Sequence, residues 1–255
     1  MKLQLQSVRT NLKEEVEFIF LEGSVQTKRS PASDVYDGPY RKWWNVRNTR
    51  TAEVARALAG VVADLDRLGP VDGLLGFSQG ATVVEMLDRL ASQGVVDKTW
   101  NFSVLISAAD LRPVFCKRKY ASPLSVPLQC RSLHVWGRND ELGSDRMMRM
   151  AGRYASSARS DLVHDQGHMI PGAANFVEKF CQSLRSLWMA GDMIQPYMPS
   201  TAAAVASHSL TPYPSNTSYS PFVHNNDQRS THQKFVPPAR SFAFENVFAA
   251  PVVSG

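Results

Sequence analysis

The clearest candidate nucleophile in the chain is Ser78, set in Gly76-Phe77-Ser78-Gln79-Gly80. A serine hydroxyl attacks a carbonyl only when a base takes its proton and its Oγ projects into a cleft. A sharp strand-to-helix turn makes that projection, and glycines two residues to either side keep the flanking strand and helix from colliding. The N–H of Gln79, at the open start of such a helix, would face the developing oxyanion. Glycine and serine also meet at ordinary turns where the serine only caps a helix, so the motif needs partners.

Of the six histidines, His208, His224 and His232 fall in a polar C-terminal stretch, leaving His134, His164 and His168. His134 sits inside the apolar run SLHVWG and reads as a core residue. His168 follows a strand-like segment in a Gly-His-Met-Ile-Pro loop, where a Ser, acid, His order places the base; His164, at the end of DLVHD, is the reserve. The acid must fix the histidine tautomer and stabilise the imidazolium. Asp140, in the loop after SLHVWG, fits; Asp110, at a strand end, and Asp145, in the first turn of the next helix, are its rivals.

Elements able to position these residues alternate along the chain. VEFIFLEG from Val16 reads as a strand, followed by an irregular polar loop through Pro39. Val54, Leu58, Val61, Val62 and Leu65 repeat at helical spacing between Thr51 and Leu68, with Thr49 or Thr51 to cap the start and Gly69-Pro70 to end it. VDGLLGF has no polar face, as a buried central strand requires, and breaks at Ser78 into the helix ATVVEMLDRLASQ. The strands FSVLISAA and SLHVWG, a helix from Ser144, the strand DLVHD and a helix from about Pro171 to Gly191 complete the set. This alternation predicts an α/β fold, a mostly parallel central sheet with helices on both faces.

Residues 1–191 form the predicted domain and residues 192–255 a predicted disordered tail rich in Ser, Pro and Asn. From Ala190 onward Arg229, Lys234 and Arg240 balance Asp192, Asp227 and Glu245, so the net charge of +5 belongs to the body. The charge is scattered and no recognition module accompanies it, which argues against a nucleic-acid partner. Cys116, Cys130 and Cys181 match neither a zinc pattern nor a disulfide framework. No apolar run is long enough to span a bilayer, and MKLQLQSVRTNLKEE lacks the centre of a signal peptide. The expectation is a reduced, cytoplasmic protein without a metal or cofactor. Asn216-Thr217-Ser218 matches a glycosylation acceptor, which this setting makes a chance match.

GPVDGLLGFSQGA from Gly69, FSVLIS, HVWGRND and HDQGHMIP, in that order, resemble the FSH serine-hydrolase family over about residues 13–187. The resemblance implies an α/β-hydrolase fold with Ser78 as nucleophile, Asp140 as acid and His168 as base. It implies cofactor-free action on carboxylic esters or thioesters, often with aliphatic acyl chains. Tyr40-Arg41-Lys42-Trp43-Trp44 resembles an Arg-x-Trp-aromatic element of the family. Trp43 and Trp44 either wall a substrate pocket, with Phe77 and Met169 as further candidates, or cover core surface.

In one respect the sequence departs from the family. The family opens with a strand ending in Leu-His-Gly, whose loop supplies a second oxyanion donor; no His-Gly pair occurs here, and FIFLEG matches the family's second strand. On this reading the domain is N-terminally truncated relative to the family, Met1 being a misassigned internal start or the product a weak short form. Backbone groups beside the serine's strand would then go unpaired. Two functions follow. One is a serine hydrolase forming an acyl-enzyme on Ser78 with a small-molecule ester or thioester. The other is a catalytically weak scaffold whose tail docks a protein partner through Lys234–Ala239 or Ser241–Asn246.

Overall fold

The structure, a computed structural model, describes residues 1–28, 38–45, 51–110, 126–192 and 240–246, with backbone alone for 190–192 and 240–246. The chain divides into two units, residues 1–193 with 239–255, and residues 194–238, which lie outside the described set. In chain order the elements are α1 (Gln6–Asn11), β1 (Val16–Glu22), β2 (Val25–Thr27), β3 (Tyr40–Lys42), α2 (Thr51–Leu68), β4 (Gly73–Phe77), α3 (Gln79–Ser92), β5 (Phe102–Ile106), β6 (Arg131–Gly137), α4 (Ser144–Ala151), β7 (Arg159–His164), α5 (Ala174–Asp192) and β8 (Arg240–Asn246).

Six strands form one sheet in the order β1-β8-β4-β5-β6-β7, every neighbouring pair parallel. β2 and β3 pair antiparallel as a separate two-stranded sheet, β2 falling within the stretch through Pro39 that the sequence reads as an irregular loop. β4 and β5 are buried along their whole length because each face is covered. Leu74 and Leu105 join Val54, Leu58, Val61 and Leu65 of α2 in one apolar cluster. Leu75, Phe77, Val104 and Ile106 join Leu5 and Val8 of α1 and Phe180 and Leu184 of α5 in another. Side chains one residue apart thus reach opposite layers, as strand geometry requires.

β8 overturns one expectation. The place beside β4 is filled, not open: β8 runs in register with β1 from Val16↔Arg240 to Glu22↔Asn246 and with β4 from Gly73↔Phe242 to Leu75↔Phe244. Its residues pair with the chain's own sheet, so Ser241–Asn246 is a strand within the predicted disordered tail and not a free docking segment. Seven residues among Ser, Pro and Asn carry too little pattern to announce a strand; a slot with two waiting partners supplies what propensity does not. Lys234–Ala239, Asn216–Ser218, Cys116 and Thr49 lie outside the described residues. Ala243→Pro removes a backbone donor from this central strand and should destabilise the fold by about 1–3 kcal/mol or more, read as a lowered urea midpoint.

His134 of β6 is buried, with Nε2 3.1 Å from the Ser132 hydroxyl and its ring edge-on to Tyr154. Burial, and then the nearby Arg159, lower its pKa to about 3. Its unfolded counterpart takes a proton near pH ~6.5. Between these values the unfolded chain binds the extra proton, so stability is complete above ~6.5 and is lost as pH falls below it. From pH 6.5 to 5 the loss attributable to this residue should reach ~1.4 kcal/mol per pH unit, and His134→Gln should flatten it in denaturant titrations.

Candidate active site

Ligand sites of parallel α/β sheets lie beyond the carboxyl ends of the strands. Ser78 follows β4, Asp140 follows β6 and His168 follows β7. The turn at Ser78 is sharp: φ 58° and ψ −115°, left-handed backbone that a non-glycine residue adopts at a cost of about 1–3 kcal/mol. It is held by the Ser78 N–H, which donates to the Ile106 carbonyl at 2.8 Å, and by the start of α3, where the Thr82 N–H donates to the Ser78 carbonyl at 3.3 Å. Gly76 is needed because a Cβ there would lie 2.5 Å from the Ala81 nitrogen and against the Gly80 carbonyl. Gln79 is the first residue of α3, so its N–H has no partner within the helix and points outward with the helix's positive end.

Nε2 of His168 lies 2.8 Å from Ser78 Oγ, and Nδ1 lies 2.8 Å from Asp140 Oδ2. An ionised Asp140 can only accept, so Nδ1 carries the proton and Nε2 is free to accept from the serine. The Leu142 N–H donates to the other oxygen, Asp140 Oδ1, at 2.9 Å. Burial alone would raise the Asp140 pKa; the hydrogen bond from His168 and electrostatic attraction to it, then the Leu142 N–H, outweigh burial and hold the carboxyl below its ordinary value. The Phe77 ring packs 4.9 Å from the His168 ring and limits its rotation.

Two loops are tied together to hold Asp140 and His168. Arg138 N–H donates to the His164 carbonyl at 2.7 Å, the Asn139 amide to the Asp165 carbonyl at 2.6 Å, and the His168 N–H to the Glu141 carboxylate at 3.3 Å. The Ile170 N–H donates to the Gln4 side chain at 3.0 Å, so the segment before α1 steadies the histidine loop as well.

The rivals have other partners. Asp110 pairs with Arg153 at 2.8 Å, and Asp145 with Arg149 at 2.7 Å. His164 accepts from the Gln166 N–H and stacks edge-on against Phe176. Trp43 and Trp44 are buried in the cluster that includes α2, Phe77 is buried, and Met169 is exposed. Ser107 had no signal in the sequence. It follows β5 at φ 49°, the only described non-glycine residue besides Ser78 with a positive φ, and it borders the Asp140 carboxylate. Among the described residues no cluster of His, Cys, Asp and Glu has the makings of a metal site, and no helix is long and apolar enough to cross a membrane.

Comparison with known proteins adds the family. A mouse protein named Esterase OVCA2 is 39% identical over 124 residues, 47% of this chain and 51% of that protein, so the match spans about half of its length. The zebrafish protein of the same name is 28% identical over 203 residues, 70% of this chain and 87% of that one. A solved carboxylesterase from Bacillus cereus aligns over 68% of this chain and 89% of its own at 12% identity, with a TM-score of 0.44, too low to bear argument. The family model described as serine hydrolase (FSH1) matches residues 1–180. That match takes in the Ser78 turn, the Asp140 loop and the His168 loop alike: the chain belongs to the FSH1 serine hydrolase family.

Proposed function

We propose that this chain hydrolyses carboxylic esters or thioesters through an acyl-enzyme on Ser78. The observation that carries the reading is the hydrogen-bonded line from Asp140 through His168 to Ser78 at the carboxyl edge of the sheet. His168 Nε2 takes the hydroxyl proton as Ser78 Oγ bonds to the acyl carbon. The Gln79 N–H meets the oxyanion that forms. The C–O or C–S bond to the leaving group then breaks, and the imidazolium returns its proton to the departing alkoxide or thiolate. Water, deprotonated by the same nitrogen, attacks the acyl carbon; the bond to Oγ breaks, and the imidazolium returns the proton to Ser78, freeing the acid. Asp140 stays ionised throughout and stabilises the imidazolium.

The exposed Met169, next to His168 in the chain, suits an aliphatic acyl group better than a charged one. The test is a chain-length series of p-nitrophenyl esters alongside the matching acyl thioesters. Turnover with a preferred length is expected in at least one series. No release above the Ser78→Ala background at any length in either series would overturn the proposal.

A further inference from the structure

Gln79 bears a second set of interactions that a helix-start residue does not need. Its carboxamide is 1% exposed and faces two peptide groups of the segment after β3. The Trp43 N–H donates to Oε1 at 2.8 Å, and Nε2 donates to the Trp44 carbonyl at 3.0 Å. One side chain thus grips the backbone of two successive residues, a donor to an acceptor and an acceptor to a donor. Gly23, just past the end of β1, also lies close against this segment. A Cβ on Gly23 would lie 2.5 Å from the Lys42 carbonyl group and 2.9 Å from the Trp43 nitrogen. With Trp43 and Trp44 themselves buried, their backbone has little freedom to shift.

We propose that the Gln79 side chain is a positioning residue: by clamping the Trp43–Trp44 backbone it fixes the orientation of its own N–H toward the oxyanion. The inference rests on the hydrolase reading and extends it from the backbone of Gln79 to its side chain. A helix-start N–H at a strained turn is free to tilt unless something beyond the turn holds the residue. An oxyanion donor acts only when it is already aimed at the charge that develops. A carboxamide offers an acceptor and a donor from the same carbon. A methionine fills the same volume and offers neither. A protonated carboxyl reproduces the pattern, and an ionised one has no donor for the Trp44 carbonyl.

Two variants separate positioning from packing. Gln79→Met should lower kcat about tenfold or more while KM changes by less than about threefold, because the donor acts chiefly on the transition state. Gln79→Glu should approach wild-type turnover at low pH and fall away from it as pH rises, a dependence that Gln79→Met, also taken relative to wild type, should lack. Labelling of Ser78 by a fluorophosphonate should reach the same final stoichiometry in all three proteins, showing an intact elbow. Hydrogen exchange at the Trp43 amide reads the clamp without any turnover and should quicken in Gln79→Met.

Unchanged exchange at Trp43 would overturn the clamp whatever the fate of the hydrolase reading. Faster exchange with kcat within about twofold of wild type would overturn the positioning role. So would equal losses in both variants at every pH. A wild-type protein that turns over no ester, with Trp43 exchange responding as expected, would strike the hydrolase reading and with it the role given to the clamp.

Discussion

Ser78→Ala should abolish labelling by a fluorophosphonate and reduce ester turnover by about 10⁴-fold or more. The loss is large because, among the described residues, the hydrogen-bond partner of His168 Nε2 is the serine hydroxyl at 2.8 Å. Stability should not follow activity. Alanine at φ 58° bears the same backbone strain as serine, and the Ser78 N–H and carbonyl keep their bonds to Ile106 and Thr82. The unfolding free energy should therefore stay within about 1 kcal/mol of wild type, since no buried group is orphaned except one acceptor face of the histidine. Labelling that survives the substitution would remove Ser78 from its proposed role.

The second large effect is expected of Asp140→Asn, a change of one atom. The two carboxylate oxygens have separate duties: Oδ1 accepts from the Leu142 N–H and Oδ2 from His168 Nδ1. An asparagine amide has one acceptor to offer. If its oxygen keeps Leu142, its NH₂ faces the imidazole, donates to Nδ1 and drives the proton to Nε2. In that tautomer the histidine has nothing with which to take the Ser78 proton. A fall in kcat of about 10⁴ is expected, with little change in KM. Asp110→Asn is the comparison: Asp110 answers to Arg153, not to the base, and its loss should be felt mainly as stability. A fall of less than tenfold in Asp140→Asn would remove Asp140 as the acid.

Much of the hydrogen-bonded line from Asp140 through His168 to Ser78 is legible in the sequence because each member follows a strand end, where local pattern is strong. The helical repeat of Val54, Leu58, Val61 and Leu65 marks α2 to its ends at Thr51 and Leu68. GLLGF can only be a buried strand, and the run of residues after it only a helix. What the sequence conceals depends on partners far along the chain. Glu85, Asp88 and Arg89 of α3 look like a solvent face, yet all three are buried. Asp88 accepts from Tyr154 at 2.7 Å, Trp100 at 2.8 Å and Ser103 at 2.9 Å, and Glu85 pairs with Arg89 and Arg153. Burial raises the Asp88 pKa and those donors oppose it. The grip of Gln79 on Trp43 and Trp44 is hidden for the same reason: it is a relation between segments, and neither segment records it alone.

The position of β8 also bears on the order in which the molecule comes into being. During synthesis β1 and β4 through β7 emerge long before residues 240–246 leave the ribosome, so the sheet is first built with a vacancy beside the strand that carries the serine. The last strand must then cross back over nearly the whole sequence to enter between two neighbours already in place, a pairing of the most non-local kind and therefore slow. A nascent chain should thus acquire its helices and its central strands early. The wall beside the Ser78 strand arrives after its neighbours, and until then two exposed edges await a strand from any source.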